Sequence, residues 1–389
     1  MSVDGFRASA VASEMRYKDR LDLGLIVADQ IVGRAGVFTK NTCQAAPVIW
    51  SRKRISTGQA ILVNAGQANA QTGQNGIAAC RHSAETLGKE LNLKKRQILL
   101  ASTGIIGAPL NLEAMDRAIP KLVKELSPKG FDNFAKSIMT TDTKIKVAID
   151  NGAFKDGTKF NVWGAAKGSG MIAPNMATML CFVLTDANLD SHLMNRMLRE
   201  ITEATFNRIT VDGDTSTNDC VLFLASGAAG GPLVVGDAQA RNFSNALYEV
   251  LNRLSRMIVL DGEGANHVVE ILVTGAKTLE QAKMAARTVA ESPLVKTAFY
   301  GRDANWGRVM AALGRSGALF DPYKVNLFLN DVPWVENGLD NNRDKEASQV
   351  MKKKEYRLTI DLKCGRARHS MLTCDFSHQY VDINGSYRS

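Results

Sequence analysis

Short apolar runs typical of buried strands alternate along this chain with longer segments of helical periodicity. The runs from Ala60 to Asn64 and from Met179 to Thr185 are apolar at nearly every position, as strands buried on both faces are. From Asp190 to Arg208, apolar residues recur every third or fourth position, which is typical of an amphipathic helix. A chain that mixes these two patterns is predicted to be an α/β or α+β protein whose sheets are covered by helices.

Three polar, glycine-rich turns stand next to predicted strands: Ser102–Gly104, Lys167–Gly170 and Asp261–Gly264. The strand predicted from Arg96 to Ala101 is expected to end at the first of these turns. A proline-containing turn also precedes Thr178, which stands at the start of a strand-like run. A threonine in that position is usually just a residue of high strand propensity. The layout is nevertheless the one expected if a threonine side chain had to be presented at a strand's start.

The polar stretch from Glu336 to Lys354 separates two strand-like segments, Val325–Leu329 and Tyr356–Leu362. It ends in three consecutive lysines, and charged runs of this kind usually face solvent. We therefore expect a solvated loop or a hairpin excursion here.

The composition is that of an ordinary globular protein. Hydrophobic residues make up 45% of the 389 residues and charged residues 22%, which excludes collagen, low-complexity disorder and a small disulfide scaffold. The net charge of +9 could help to attract anionic substrates. A basic module that binds nucleic acid is an alternative, but this charge is modest for the length, so we expect no nucleic-acid partner.

Motifs for metals, cofactors and membranes are missing from the sequence. The six cysteines form no C-x-x-C pair, and the five histidines form no H-x-x-x-H pair, so we expect no metal. The first twenty residues contain no apolar core of a secretory signal. The longest apolar run, Met179 to Leu184, falls far short of the roughly 20 residues that a membrane span needs. We expect a cytoplasmic protein with reduced thiols and no membrane partner.

Two weak motif matches are rejected on their context. Gly168, Gly170 and Ala173 fit G-x-G-x-x-A, but Pro174 and a strand follow where a dinucleotide-binding loop requires a helix. The acidic segment 212–219 would need glycine at its sixth position to bind calcium, and it has Thr217 there. Both segments are interpreted as hydrogen-bonded turns.

Several blocks of the sequence, taken in order, closely resemble those of the ornithine acetyltransferase family, also called glutamate N-acetyltransferase. The blocks are GVFTKNTCQAAPV (Gly36–Val48), STGIIG (Ser102–Gly107), MTTDT (Met139–Thr143), KGSGMIAPNMATML (Lys167–Leu180), VDGDTSTND (Val211–Asp219), DGEGA (Asp261–Ala265), SPLVKTAFYGRDANWGR (Ser292–Arg308) and INGSYRS (Ile383–Ser389). They extend over nearly the whole chain, so the resemblance is specific.

The resemblance implies a precursor that cuts itself between Ala177 and Thr178, into an α chain of residues 1–177 and a β chain of residues 178–389. It implies two interwoven, helix-covered sheet domains in a self-processing fold of the DmpA and ornithine acetyltransferase type. We expect an acyltransferase core over residues 1–265, which contains the cleavage site, and a C-terminal α/β domain of the β chain over residues 266–389.

The reaction implied is ping-pong transfer of acetyl from N2-acetyl-L-ornithine to L-glutamate, which recycles acetyl groups in arginine biosynthesis. Thr178 would be the nucleophile, and its freed α-amine would be the base, so no separate histidine is needed. By the same resemblance, the hydroxyl of Thr103 and the backbone N–H of Gly104 form the oxyanion hole.

Substrate contacts also carry over from the family, position by position. They fall on Thr140, Lys167, Thr178, Glu263, Asn384 and Ser389. Lys167 suits the α-carboxylate that both substrates carry, and Glu263 suits the charged amine of ornithine. Ser389 also carries the terminal carboxylate of this sequence.

The resemblance implies an enzyme without a cofactor that assembles as two α and two β chains. Some family members also take acetyl-CoA as donor, and the sequence does not decide whether this chain does. A second enzyme interpretation is an aminopeptidase of the related self-cleaving fold, which would pass its acyl group to water.

The chain departs from the family pattern at a few positions. It ends in Ser389, where threonine is more usual, and Gln71 replaces a frequent cysteine. Asn266–His267 after DGEGA is unusual, and Asn384–Ser386 is a looser version of the family's ending. These departures concern the fine geometry of substrate contacts and not the reaction class.

Overall fold

The computed structural model describes residues 2–173 and 179–386 of the 389-residue chain. The chain forms two compact units: unit 1 is Met1–Asn207 with Asp214–Ile258, and unit 2 is Arg208–Gly213 with Val259–Ser389. The domain boundary expected between residues 265 and 266 stays a prediction.

The strands of the described residues are β1 (Phe6–Val11), β2 (Leu23–Ala28), β3 (Gly33–Phe38), β4 (Ala60–Gln67), β5 (Ile98–Ile105), β6 (Lys146–Ala153), β7 (Lys159–Lys167), β8 (Leu180–Thr185), β9 (Cys220–Ala225), β10 (Val268–Ala276), β11 (Asn326–Leu329), β12 (Val332–Glu336), β13 (Leu339–Asp340), β14 (Glu355–Asp361) and β15 (Ala367–Cys374). The α-helices are α1 (Ala46–Arg52), α2 (Gly73–Leu91), α3 (Leu112–Lys124), α4 (Phe131–Ser137), α5 (Ser191–Ala204), α6 (Asp237–Leu260), α7 (Leu279–Ala290), α8 (Pro293–Gly301), α9 (Trp306–Gly314), α10 (Asp344–Val350) and α11 (His378–Gly385).

A four-stranded sheet of unit 1, in the order β1-β2-β4-β5, is covered on both faces. Strand β2 is buried at all six positions, because its alternate residues enter two different cores. Leu23 and Leu25 join the core that includes residues of α2 and α3, whereas Ile26 joins the core that includes residues of the second sheet. Double burial explains why such strands are continuous apolar runs in the sequence.

The second sheet of unit 1 has five strands in the order β3-β9-β8-β7-β6. Helix α6 packs tightly on it, because a Cβ added at Gly164 of β7 would lie 2.8 Å from side-chain atoms of both Val250 and Leu254. On the opposite face, Trp163 packs against Phe131 of α4 with ring centroids 5.1 Å apart. Unit 1 is thus layered as helices, sheet, sheet and helix.

Unit 2 contains a six-stranded sheet in the order β13-β12-β11-β14-β10-β15. Val269, Ile271 and Val273 alternate along β10 into a core shared with α7 and α9, while Glu270 and Leu272 between them are partly exposed. Such alternation is typical of a sheet with one covered face. The prediction of an α/β chain with helix-covered sheets is confirmed.

One local prediction was wrong, and another was incomplete. Strand β5 does not end at Ser102 but continues to Ile105, because its pairing with β4 persists through Gly66 and Gly104. The stretch from Glu336 to Lys354 begins with the expected hairpin, formed by β12 and β13, but it also contains α10, which buries Ala347 and Val350.

Across residues 2–173 and 179–386, none of the helices is both long and apolar enough to cross a membrane.

Candidate active site

The ends of two parallel strands bring Thr103 and Gly104 against the β4 backbone. In the register of β4 and β5, Thr103 lies opposite Ala65 and Gly104 opposite Gly66. Gly104 has a φ of +125°, and a Cβ there would lie 2.2 Å from the carbonyl carbon of Gly66. Only glycine tolerates both the left-handed φ and this approach. The predicted oxyanion-hole pair is therefore held by sheet pairing and close backbone contact.

Lys167 is the last residue of β7. Its side chain connects Thr103, near the end of β5, to the loop that carries Thr140. Its Nζ donates to Thr140 Oγ1 at 2.7 Å and to Thr103 Oγ1 at 3.2 Å. The residue is only 8% exposed, so its charge lies in a poorly hydrated setting. Three of the residues predicted from the sequence thus meet around one ammonium group.

A buried carboxylate, Asp142, organises the surroundings of Lys167. Its Oδ1 accepts from Lys146 Nζ and from the Gly168 N–H, both at 2.7 Å, and its Oδ2 accepts from the Thr140 N–H at 3.0 Å. Oδ2 also lies 3.8 Å from Lys167 Nζ. We call Thr103, Thr140, Asp142, Lys146 and Lys167 the Lys167 cluster.

Charge and burial act in opposite directions on Asp142. Burial alone would raise the pKa of this carboxyl, but the ammonium groups of Lys167 and Lys146 and the hydrogen bonds from Lys146 and the Thr140 N–H lower the pKa to about 2. Asp142 is therefore ionised at neutral pH.

The direction of the hydrogen bonds decides what the Lys167 cluster can do. An ammonium group only donates, so the Thr103 oxygen accepts from Lys167, and the Thr103 hydrogen must point elsewhere. A threonine hydroxyl held in this way is a ready donor for a developing oxyanion. The ammonium itself, beside the hydroxyl of Thr140, is suited to a carboxylate.

Asn218 supports the end of β5 through hydrogen bonds to backbone carbonyl groups. Its Nδ2 donates to Ala68 O at 2.6 Å and to Ser102 O at 2.8 Å, and its Oδ1 accepts from Thr217 Oγ1 at 2.6 Å. The segment 212–219 was interpreted from the sequence as a hydrogen-bonded turn, and the sequence did not indicate that Asn218 binds the backbone at Ser102. Asp142 and Lys146 were also missed, although Asp142 lies within the MTTDT block.

A second cluster lies in unit 2, where Asn384 of α11 donates to Glu263 Oε2 at 2.7 Å. Glu263 is 6% exposed and belongs to the loop 261–267. Asp375 Oδ1 accepts from the backbone N–H groups of Asn266 and His267, both at 2.8 Å. Ser377 Oγ donates to Gly264 O at 2.7 Å. We call Glu263, Asn384 and these supports of the loop the Glu263 cluster.

Three predicted site residues, Ala177, Thr178 and Ser389, lie outside the described residues. On either side of the predicted cleavage segment, Lys167 of β7 and Leu180 of β8 are antiparallel partners.

Layered sheets with a buried ammonium group and two hydroxyl groups at their strand ends define an α/β enzyme with a site suited to binding a carboxylate. The model of the ArgJ family matches residues 7–389, and the chain belongs to that family. The arginine biosynthesis bifunctional protein ArgJ of Desulfotalea psychrophila is 49% identical over 394 residues, which cover 100% of both chains. The protein of the same name from Geobacter sulfurreducens is 44% identical, also over 100% of both chains.

Among solved structures, the arginine biosynthesis bifunctional protein ArgJ of Bacillus halodurans is similar to this chain with a TM-score of 0.51 and 38% identity. The match covers 53% of this chain and 98% of that chain. The family membership predicted from the sequence blocks is confirmed.

Proposed function

We propose that this chain cuts itself between Ala177 and Thr178 and then transfers acetyl from N2-acetyl-L-ornithine to L-glutamate. Thr178 Oγ attacks the acetyl carbonyl, ornithine leaves, and the amine of glutamate takes the acetyl group from the Thr178 ester. Relatives of full matching length named as arginine biosynthesis proteins support this assignment. The observation that carries it is the meeting of Thr103, Thr140 and Lys167 around one buried ammonium group.

The cut supplies the base as well as the nucleophile. An α-amine has a pKa of roughly 7.7–8.0, so part of it is neutral at cellular pH and accepts the proton of the neighbouring Oγ. A single residue then performs both tasks, in keeping with a sequence whose five histidines form no paired motif.

Each half-reaction passes through a tetrahedral oxyanion, which Thr103 and Gly104 would stabilise. The bond from Lys167 to Thr103 Oγ1 directs the hydroxyl hydrogen away from the ammonium group. A donor of this kind is worth about 3 kcal/mol of transition-state stabilisation.

Lys167 and Thr140 would bind the α-carboxylate common to both substrates. The roles of Glu263 and Asn384 as contacts of ornithine's side-chain amine come from the family resemblance. Contacts through Thr178 and Ser389 complete the proposed set.

The length of the solved Bacillus halodurans chain is consistent with the proposed cut. That chain is covered over 98% of its length by 53% of this chain, and residues 178–389 make up a similar share of the 389 residues. A single product of cleavage would have such a length.

We further propose acetyl-CoA as a second donor, because the relatives are named as bifunctional proteins. The proposal also includes assembly as two α and two β chains, action without a cofactor, and a cytoplasmic location. The partners would then be small molecules and other copies of the protein, without nucleic acid or membrane.

Intact-mass measurement tests the self-cleavage. Wild-type protein should give two chains split at 177/178, and Thr178→Ala should remain whole and inactive. A wild-type preparation that stays whole and transfers no acetyl would refute the proposal.

An acceptor assay separates transfer from the aminopeptidase alternative. Acetylornithine should lose its acetyl group rapidly only when glutamate is present, with N-acetylglutamate as product. Equal rates of ornithine release with and without glutamate would instead identify a hydrolase. The same assay with acetyl-CoA as donor decides the second activity.

A further inference from the structure

The loop between β1 and β2, residues 12–22, is fixed to the four-stranded sheet of unit 1. Asp22 is fully buried, and its Oδ1 accepts from the Ser13 N–H at 2.6 Å and from Ser13 Oγ at 2.8 Å. The carbonyl of Asp22 accepts from the Ala65 N–H of β4 at 2.8 Å. The two ends of this segment, which we call the 12–22 loop, are therefore joined to each other and to β4.

Within the 12–22 loop, Arg16 and Tyr17 pack on Gly66, which is the β4 partner of Gly104. A Cβ added at Gly66 would lie 3.1 Å from both Arg16 Cβ and Tyr17 Cε2, so the loop approaches the backbone of β4 closely. The 12–22 loop therefore contacts the same strand ends that carry the predicted oxyanion-hole pair.

Arg20, further along the 12–22 loop, binds the segment that carries Thr140. Its Nη2 donates to Met139 O at 2.5 Å and to Thr140 O at 3.2 Å. The guanidinium carbon lies 4.6 Å from the centroid of the Tyr17 ring, which is a cation–π contact. A planar guanidinium stacked on a ring presents its N–H groups in a fixed direction, so Arg20 is a preorganised donor to these two carbonyls.

The two carbonyls belong to the two peptide planes that flank the Cα of Thr140. Met139 O lies in the plane before this Cα, and Thr140 O lies in the plane after it. Asp142 accepts from the Thr140 N–H at 3.0 Å, and Lys167 donates to Thr140 Oγ1 at 2.7 Å. Because the flanking planes set the direction of the side chain, Arg20 helps to direct the Thr140 hydroxyl toward Lys167.

We propose that Arg20 is a positioning residue for substrate binding: it holds both peptide planes around Thr140, so that the Thr140 hydroxyl and Lys167 receive the substrate's α-carboxylate together. Tyr17 orients the guanidinium, and its contact with Gly66 connects the Thr140 segment to the end of β4. The inference rests on the proposed function and assigns a role to a residue that does not itself touch substrate.

Arg20→Met makes the first test, because it removes the donor and keeps an unbranched side chain. The contact with the α-carboxylate is made in the ground state and in the transition state alike, so weakening it should raise KM and leave kcat nearly unchanged. We expect KM for acetylornithine and for glutamate to rise about fivefold, with kcat within about twofold of wild type. Wild-type KM values, or a fall in kcat alone, would overturn the proposal.

A substrate without the α-carboxylate tests whether Arg20 acts through that group. In the amide of N2-acetylornithine, a neutral carboxamide replaces the carboxylate. Wild type and Arg20→Met should differ in kcat/KM by less than about twofold on this amide, but by about fivefold on acetylornithine. An equal loss on both substrates would show that Arg20 only stabilises the fold, and the positioning role would be refuted.

Arg20→Lys separates positioning from charge. Lysine keeps the positive charge but lacks the planar group that stacks on Tyr17, so KM for both substrates should stay at least about threefold above wild type. A full return to the wild-type KM would mean that charge alone is needed, which contradicts the positioning role. This variant also carries the test if Arg20→Met does not fold, and failure of both variants to fold would refute the role.

Arg54→Met is the matched control, because Arg54 makes the same two kinds of contact elsewhere in unit 1. Its guanidinium carbon lies 3.4 Å from the centroid of the Trp50 ring, and its Nη1 donates to Trp50 O at 3.2 Å. Trp50 donates to Ile98 O at the start of β5, whereas Thr103 lies near the other end of that strand. KM should change by less than about twofold. A rise as large as that in Arg20→Met would mean that general loosening of unit 1 explains both results.

Glutamate binding, measured by calorimetry, distinguishes failure of this role from failure of the proposed function. If Arg20→Met binds glutamate about fivefold more weakly than wild type, the positioning role stands even where no acetyl is transferred, and only the proposed function fails. If acetyl is transferred and the two proteins bind glutamate equally, only the positioning role fails. A wild-type protein that neither transfers acetyl nor binds glutamate would overturn both.

Discussion

The Lys167 cluster and the Glu263 cluster fix a charged side chain in different ways. Lys167 stands at the end of β7, beside the buried ion pair of Asp142 and Lys146. Glu263 stands on a loop, and Asp375 holds that loop through backbone N–H groups. The first cluster is organised by side-chain charge on a sheet, and the second by backbone hydrogen bonds to one carboxylate.

This difference has a practical meaning for variants. A substitution in the Lys167 cluster should change the electrostatics of binding while the sheet keeps its position. A substitution beneath the Glu263 loop should move the backbone that carries the charge. The four predictions below test that contrast, beginning with the largest effect.

Gly104→Ala should cause the largest loss of stability and activity, because it disturbs the end of β5, on which the Lys167 cluster depends. The new Cβ would stand 2.2 Å from the Gly66 carbonyl carbon at a φ of +125°. We expect the free energy of unfolding to fall by about 4 kcal/mol, with loss of activity, as measured by urea denaturation and acetyl transfer.

Gly107→Ala is the control for the backbone angle alone. Gly107 has a φ of +86°, but nothing lies within 4 Å of an added Cβ. The expected cost is about 1 kcal/mol. Equal losses in the two variants would mean that the contact between Gly104 and Gly66 does not hold the strand end.

Asp375→Asn should lower the free energy of unfolding by about 3 kcal/mol. The carboxylate of Asp375 is fully buried and accepts hydrogen bonds from several donors, and the substitution would replace it with a neutral amide. These donors are the N–H groups of Asn266 and His267 and the side-chain amide of Asn266. Because the loop carries Glu263, KM for acetylornithine should rise as well. A drop in melting temperature with an unchanged KM would separate the loop's stability from its binding role.

Acid should weaken the first cluster within a defined pH range. The pKa of Asp142 is lowered from 3.8 to about 2, so its stabilisation is complete above about pH 4 and is lost as the pH falls toward 2. The shift corresponds to about 2 kcal/mol. The difference in unfolding free energy between wild type and Asp142→Asn should decrease by about 1 kcal/mol when the pH falls from about 5 to about 3. A constant gap over that range would contradict the ionised, paired state of Asp142.

Glu263→Gln should have the smallest effect on folding and a selective effect on substrates. The amide retains one oxygen toward Asn384 but removes the charge that would attract the amine of ornithine. KM for acetylornithine should rise about tenfold, while KM for glutamate should rise less or fall. Glu270→Gln, which breaks an exposed pair with Arg357, should change neither KM.

The sequence predicted the fold class and several elements well, where the local signals were strong. The segment from Asp190 to Arg208 was predicted to be an amphipathic helix, and α5 extends from Ser191 to Ala204 with Asp190 as its N-cap. The end of β5 was misplaced, since the polar run Ser102–Gly104 has the composition of a turn and Gly104 has weak strand propensity, and only pairing with β4 extends the strand. Strand limits of this kind depend on tertiary contacts.

The site was predicted only as far as the family resemblance reached. Thr103, Thr140 and Lys167 were expected and do meet, as do Glu263 and Asn384, while their roles stay predictions. Lys146 could not have been found from its local pattern, because a lysine is almost never fully buried unless tertiary structure supplies a partner.

The five-stranded sheet of unit 1 gives the proposed cut an unusual thermodynamic consequence. Strands β3, β6 and β7 precede residue 177, and β8 and β9 follow it, yet β8 pairs with β7 and β9 pairs with β3. After cleavage, two polypeptides would therefore share one sheet, and complete unfolding would release two molecules instead of one. Unfolding of the cleaved protein would release more separate chains than unfolding of uncleaved Thr178→Ala, so its melting temperature should depend more steeply on protein concentration.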